Sequence, residues 1–124
     1  MIEARLADAG PPAPIATADG TTFLATPLAD VQPGQAVNAM VRPENVFLCD
    51  DDGEVFDNRL GGTLGESLVL GGVVKHFVRT SLGGVFTSVD FNRPGRRVYA
   101  EGSAVTLGWH ARDMRLLPPA GMAR

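Results

Sequence analysis

The sequence predicts an all-β chain, a barrel or sandwich built from two related half-units of short antiparallel strands, and three observations carry that expectation. Turn dipeptides recur at short intervals along the whole length: Asp19-Gly20, Pro33-Gly34, Asp52-Gly53, Gly61-Gly62, Gly71-Gly72, Gly83-Gly84, Pro94-Gly95 and Glu101-Gly102. The segments between them are β-rich and several alternate apolar and polar residues, the period of a half-buried strand. GQAVNAMVRPENVFL, residues 34–48, returns as GSAVTLGWHARDMRL, residues 102–116, with Gly, Ala, Val and Leu at matching places.

The elements follow in chain order. IEARLA is an opening strand, and GPPAP begins a flexible segment that completes residues 1–18. The first half-unit, 19–60, holds TTFLA, AVNAMV and NVFL. Between the last two stands Arg42-Pro43-Glu44, where Pro43 fixes φ, removes a donor and drives Arg42 extended, so the strand must end or bend. The second half-unit, 61–117, holds VVKHFV, VFTSVDF and AVTLGW, and residues 118–124 are a tail. His110-Ala111-Arg112 breaks the second copy as Arg42-Pro43-Glu44 breaks the first, so both are read as corners. Helix is scarce, since no segment sustains an i, i+3, i+4, i+7 apolar stripe. NRLGGTL and ARDMRLL are the best candidates for a helical turn or two.

Composition excludes several classes of function. No apolar run approaches the length of a membrane span, and Glu3 interrupts what a signal peptide would need, so a cytosolic chain is expected. Net charge is −3, which argues against a general nucleic-acid binder. The single cysteine, Cys49, reads as a small apolar strand residue and gives neither a disulfide framework nor a Cys-based zinc site.

Nucleotide chemistry lacks its motif. A phosphate-cradling loop ends in Gly-Lys-Ser/Thr, but the one lysine, Lys75, lies inside a strand pattern. His76 and His110 have no partners at metal-ligand spacing, and no nucleophile is motif-marked, so no catalytic, cofactor-binding or metal residue is assigned. CDDDGE runs its aspartates consecutively, unlike a calcium loop, and reads as a hairpin tip. Trp109 reads first as core, its ring capping a barrel end, and second as a surface anchor. Arg79 with Arg93, Arg96 and Arg97 around the Pro94-Gly95 turn forms a candidate anion patch.

Taken together, VRPENVFL, GTLGESLVLG, VVKHFVRTSLGGVFTSV and EGSAVTLGWHARDMRLL resemble the C-terminal TOBE domain, a transport-associated OB-type fold found after the ATPase domain of ABC importers of the polyamine, ferric-ion and phosphonate groups. The resemblance implies an OB-like barrel in which Gly34 and Gly102 open paired strands. It makes Arg42, Pro43 and Glu44 the family's RPE-like corner, and Trp109 with Asp113 its terminal segment; these five residues are the candidate domain interface.

It further implies a regulatory and dimerising domain of an ATP-binding subunit, cytoplasmic and peripheral at the inner face of the membrane. ATP and magnesium would belong to the parent ATPase domain. The implied partners are that domain, a second ATPase subunit and, indirectly, a permease, with homodimerisation and no nucleic acid. The alternative is a free-standing module of the molybdate-binding type, in which Arg42, Arg79, Arg93, Arg96 or Arg97 supplies charge and turn N–H groups complete the site.

Overall fold

The computed structural model describes residues 2–49, 55–95 and 97–118. These residues form ten strands and two single-turn 3-10 helices in two compact units, and the cuts between units fall at the two sequence corners. The first unit runs up to Arg42 and resumes at Trp109; the second spans Pro43–Gly108. No helix among the described residues is long and apolar enough to cross a membrane.

In the first unit, β1 (Ile2–Leu6), β2 (Ala13–Ala16), β3 (Thr22–Ala25) and β4 (Ala36–Val41) are joined by β10 (Met114–Leu117) in the order β10-β4-β1-β2-β3. All neighbouring strands are antiparallel, with registers such as Leu6↔Ile15, Ile2↔Ala39 and Met114↔Val41. A parallel bridge between Thr26 and Arg115, with Thr26 N–H donating to Met114 O at 2.9 Å, brings the outer strands together, so the sheet closes on itself. Closure removes the exposed edge that a five-stranded sheet would otherwise carry. Period-two alternation sends Ile2, Ala4 and Leu6 inward from β1, and Ala13, Ile15, Phe23, Ala25, Val37 and Ala39 from its neighbours. The four inward alanines leave room for large rings, which Phe23 and Trp109 fill.

The second unit repeats this plan. Here β6 (Asn58–Leu70), β7 (Val73–Thr80), β8 (Val85–Phe91) and β9 (Ala104–Trp109), whose last residue, Trp109, already belongs to the first unit, are joined by β5 (Phe47–Leu48) in the order β5-β9-β6-β7-β8. In each unit, therefore, the short fifth strand follows the fourth strand of the other unit in sequence. The 3-10 turns Pro43–Asn45 and Ala111–Asp113 are where the chain passes across, which explains why both copies of the repeat are interrupted. The sequence halves 19–60 and 61–117 are thus not the compact units, because each unit borrows its closing strand.

Hydrogen bonds repeat with the strands. Gly34 N–H donates to Leu6 O at 2.7 Å while Leu6 N–H donates to Gln35 O at 3.0 Å; Gly102 with Leu64, and Leu64 with Ser103, do the same at 2.7 and 2.9 Å. Both glycines hold positive φ, +91° and +87°, a conformation that L side chains resist. NRLGGTL is strand and not helix, since its inward residues Asn58, Leu60 and Leu64 follow the sheet period. ARDMRLL divides into the second 3-10 turn and β10. GPPAP runs directly into β2 at Ala13, and the tip expected over Asp50–Gly53 lies outside the described residues.

Candidate functional site

The second unit carries a cleft of about 370 Å³ over its β7–β8 face. Strand alternation sends His76 inward from β7 between Val74 and Val78, and it is 4% exposed. Across the ladder, β6 carries one extra residue between Leu64↔Val78 and Ser67↔His76, a bulge that re-aims the strand. The shift sets Ser67 opposite His76, with Ser67 Oγ 2.9 Å from His76 Nδ1. The imidazole also meets the Tyr99 ring edge-on, at 6.2 Å between centroids and 83° between planes.

Charge enters through the turn after β8. Pro94 followed by Gly95 at φ +79° is the pairing a tight turn with a left-handed third residue requires, and it brings the chain back along the sheet. Arg93 and Arg97, on either side of that turn, both line the cleft. The Arg97 guanidinium lies over the Tyr99 ring, 5.0 Å from its centroid, a cation–π contact that holds the side chain toward the opening. Arg93 Nη1 is 3.2 Å from Asp90 Oδ1, and that carboxylate also accepts from Phe91 N–H at 2.8 Å. The pair is substantially solvated, at 60% and 41% side-chain exposure, so salt screens it and each partner stays available to a ligand.

The opposite wall is apolar. Phe47 and Phe56 stack with centroids 5.5 Å apart, and Phe56 lies tight on Gly108, where an added Cβ would come within 2.5 Å of the ring. Ser88 at the floor is already engaged, its hydroxyl donating to Val46 O. Arg97 also borders a second hollow of about 340 Å³ beside Ser103–Thr106. The first unit has a shallower one of about 300 Å³ near Glu3, Arg5, Thr17 and Asn38, where Arg5 Nη1 donates to Gly34 O at 2.9 Å. Among the described residues no three His, Cys, Asp or Glu side chains gather as metal ligands would.

The candidate anion patch is only partly assembled. Arg93 and Arg97 share the cleft, Arg96 lies outside the described residues, and Arg79 sits outward at the far end of β7, paired with Thr63 and Val85. Val73, opposite Phe91, starts that strand, so Arg79 is about 20 Å from the turn at 3.3 Å per residue.

The candidate interface residues divide as well. Arg42, Pro43 and Glu44 are exposed at the first corner, and no ion pair joins Arg42 to Glu44. Asp113 is half-buried in the second 3-10 turn, its N–H donating to His110 O at 3.0 Å. Trp109 is fully buried, stacked on Phe23, with Nε1–H donating to Met114 Sδ at 3.3 Å. A ring with no exposed surface has nothing to present to a partner, which removes Trp109 from the interface and leaves the core reading.

Sequence reasoning missed the company His76 keeps. Ser67, Asp90, Phe47, Phe56 and Tyr99 are far apart in sequence and meet only through the sheet registers. The available signal was a lone histidine at an inward position of VVKHFV, which read as structural.

Comparison with known proteins bears on the same architecture. No curated protein matches the chain. Among solved structures, the cytoplasmic molybdate-binding protein ModG, crystallised with molybdate bound, superposes with a TM-score of 0.78 at 18% identity, covering 95% of this chain and 94% of ModG. At that identity the likeness establishes the fold, an OB-like all-β arrangement spanning both units. The TOBE domain family matches residues 39–117, from inside β4 through the whole second unit to the end of β10, and on that match over more than half its length the chain belongs to the TOBE domain family.

Proposed function

We propose that this TOBE chain is a binding module for small oxyanions, acting in the cytoplasm by capture and not by catalysis. The observation that carries the reading is the likeness to ModG over both units: 94% of a molybdate-binding protein has its counterpart here. The site assigned is the second-unit cleft, where Arg93 and Arg97 supply charge. A guanidinium offers paired N–H donors that match two oxygens of a tetrahedral ion, and such charge-assisted bonds are about twice as strong as neutral ones. Arg97 is pre-positioned by Tyr99, which lowers the ordering cost of binding.

Calorimetric titration of the chain with molybdate, tungstate, sulfate and phosphate at low ionic strength tests the proposal. Saturable binding is expected, weakened about tenfold or more by Arg97→Ala, in line with loss of one hydrogen-bonded charge. Absence of binding by all four ions overturns it.

A second reading takes the chain as the regulatory and dimerising domain of an ABC importer ATPase subunit. It is favoured by the exposed Arg42-Pro43-Glu44 corner, which carries both charges on the 3-10 turn and the residue before it. On that reading ATP and magnesium sit in the parent ATPase domain, and the partners are a second ATPase subunit and a permease at the inner membrane face. Replacing Arg42 and Glu44 with Ala then weakens association with the ATPase more than it weakens folding, and equal losses in both assays contradict it.

A further inference from the structure

We infer that the second-unit cleft takes an organic anion, an aromatic ring bearing one phosphonate-like oxyanion group, in preference to a bare inorganic ion. This rests on the oxyanion reading above and narrows the ligand class of the same site.

Three observations carry it. First is size: about 370 Å³ falls within the roughly 300–1,000 Å³ of small-molecule pockets, far more than a single tetrahedral ion occupies. Second is the lining. Of six Phe, one Tyr and one Trp in the chain, Phe47, Phe56, Phe91 and Tyr99 gather at this one cleft. A pure oxyanion site has no use for apolar faces, which lend an inorganic ion no hydrogen bonds and raise its desolvation cost.

Third is exposure. Phe47, on the apolar wall, is 38% exposed, so part of its ring is uncovered beside Phe56. Phe91 ends β8 at the rim of the cleft, two residues before Arg93, but strand alternation turns its side chain to the face opposite Ser88 and Asp90. A ligand with a ring at one end and an anionic head at the other uses both walls at once: the ring meets the Phe47–Phe56 stack, and the head reaches Arg93 and Arg97. Offset or edge-on aromatic contact adds stabilisation beyond the area it buries, and the rigid faces lose little entropy on binding.

The test is a paired titration of the intact chain with phenylphosphonate and methylphosphonate, which share a headgroup, alongside phosphate and molybdate. The phenyl compound is expected to bind about tenfold tighter or more than the methyl one, the gain of burying and stacking one ring. Phe47→Ala should draw the phenyl-to-methyl ratio toward one, whereas Phe91→Ala, on the outer face of β8, should leave it unchanged. Inorganic ions binding with no phenyl preference overturns this inference and keeps the oxyanion reading. Both phosphonates binding with the phenyl preference while the inorganic ions fail keeps the ligand class and overturns capture of bare oxyanions. No binding by any probe overturns both.

Discussion

The indole of Trp109 stacks on Phe23 with ring centroids 5.3 Å apart and planes 29° apart, and its N–H donates to Met114 Sδ. The three residues come from β9, β3 and β10, and small inward alanines make the space they share. Removing the ring leaves a cavity that a closed sheet cannot collapse to fill. Trp109→Ala should therefore cost about 3–5 kcal/mol, with Trp109→Phe costing less because part of the stack survives. Urea unfolding followed by circular dichroism measures both, and a loss under about 1 kcal/mol for the alanine variant would return Trp109 to the surface role.

Asp90 works against the proposed ligand. Its carboxylate faces the same cleft as Arg93 and Arg97 and partly neutralises Arg93 at 3.2 Å. Asp90→Asn should strengthen oxyanion binding, but only by a factor of about five or less, because an exposed pair is worth roughly 0.2–1 kcal/mol. The gain should shrink as salt is raised. Titration of the variant at two ionic strengths checks both; unchanged affinity would mean that the anion does not approach Asp90.

The Thr17–Thr21 turn of the first unit gives a pH signature. Thr17 Oγ1–H donates to Asp19 Oδ1, and Thr21 N–H donates to the same oxygen at 3.1 Å, so the Asp19 carboxyl is held below its ordinary 3.8. The bonds need the charged form. A carboxyl with a depressed folded-state value stabilises the fold above its unfolded value and loses that contribution as pH falls through the folded one. The stability gap between the protein and Asp19→Asn should then be constant above pH about 5 and close as pH drops below 3.8. Thermal melts across that range measure the gap, and a gap that persists at the acid end would assign the Asn effect to something other than charge.

Much of the fold was legible because it depends on local rules. Alternation marked the strands, glycine turns marked their ends, and the 34–48 and 102–116 repeat marked the two corners. The exchange of fifth strands was not legible: Phe47–Leu48 and Met114–Leu117 carry no local signal of which sheet they join, since their partners are chosen by registers such as Phe47↔Gly108 and Met114↔Val41. The helical reading of NRLGGTL failed for a related reason, as β6 is held by pairing to β7 across a bulge that no short window reveals. Of the anion patch, Arg93 and Arg97 came together because one turn links them, whereas Arg79 depended on strand length and fell at the wrong end.

Glycine substitutions separate two physical reasons for needing glycine. Gly34 and Gly102 stand at φ +91° and +87° with nothing within 4 Å of an added Cβ, so only backbone conformation resists replacement. Alanine at either site should cost about 1–2 kcal/mol, the price of a left-handed residue, and asparagine should recover part of it. Gly108 is the reverse: its φ is ordinary, but a Cβ would lie 2.5 Å from Phe56 Cδ2 and 2.6 Å from Cys49 Sγ. Gly108→Ala should cost about 1–3 kcal/mol through overpacking, and asparagine, being larger, should be worse. Denaturant midpoints for the six variants give the comparison. Rescue by asparagine at 34 and 102 together with aggravation at 108 supports both accounts, whereas rescue at all three would show that Phe56 yields and that the wall of the cleft is looser than its packing implies.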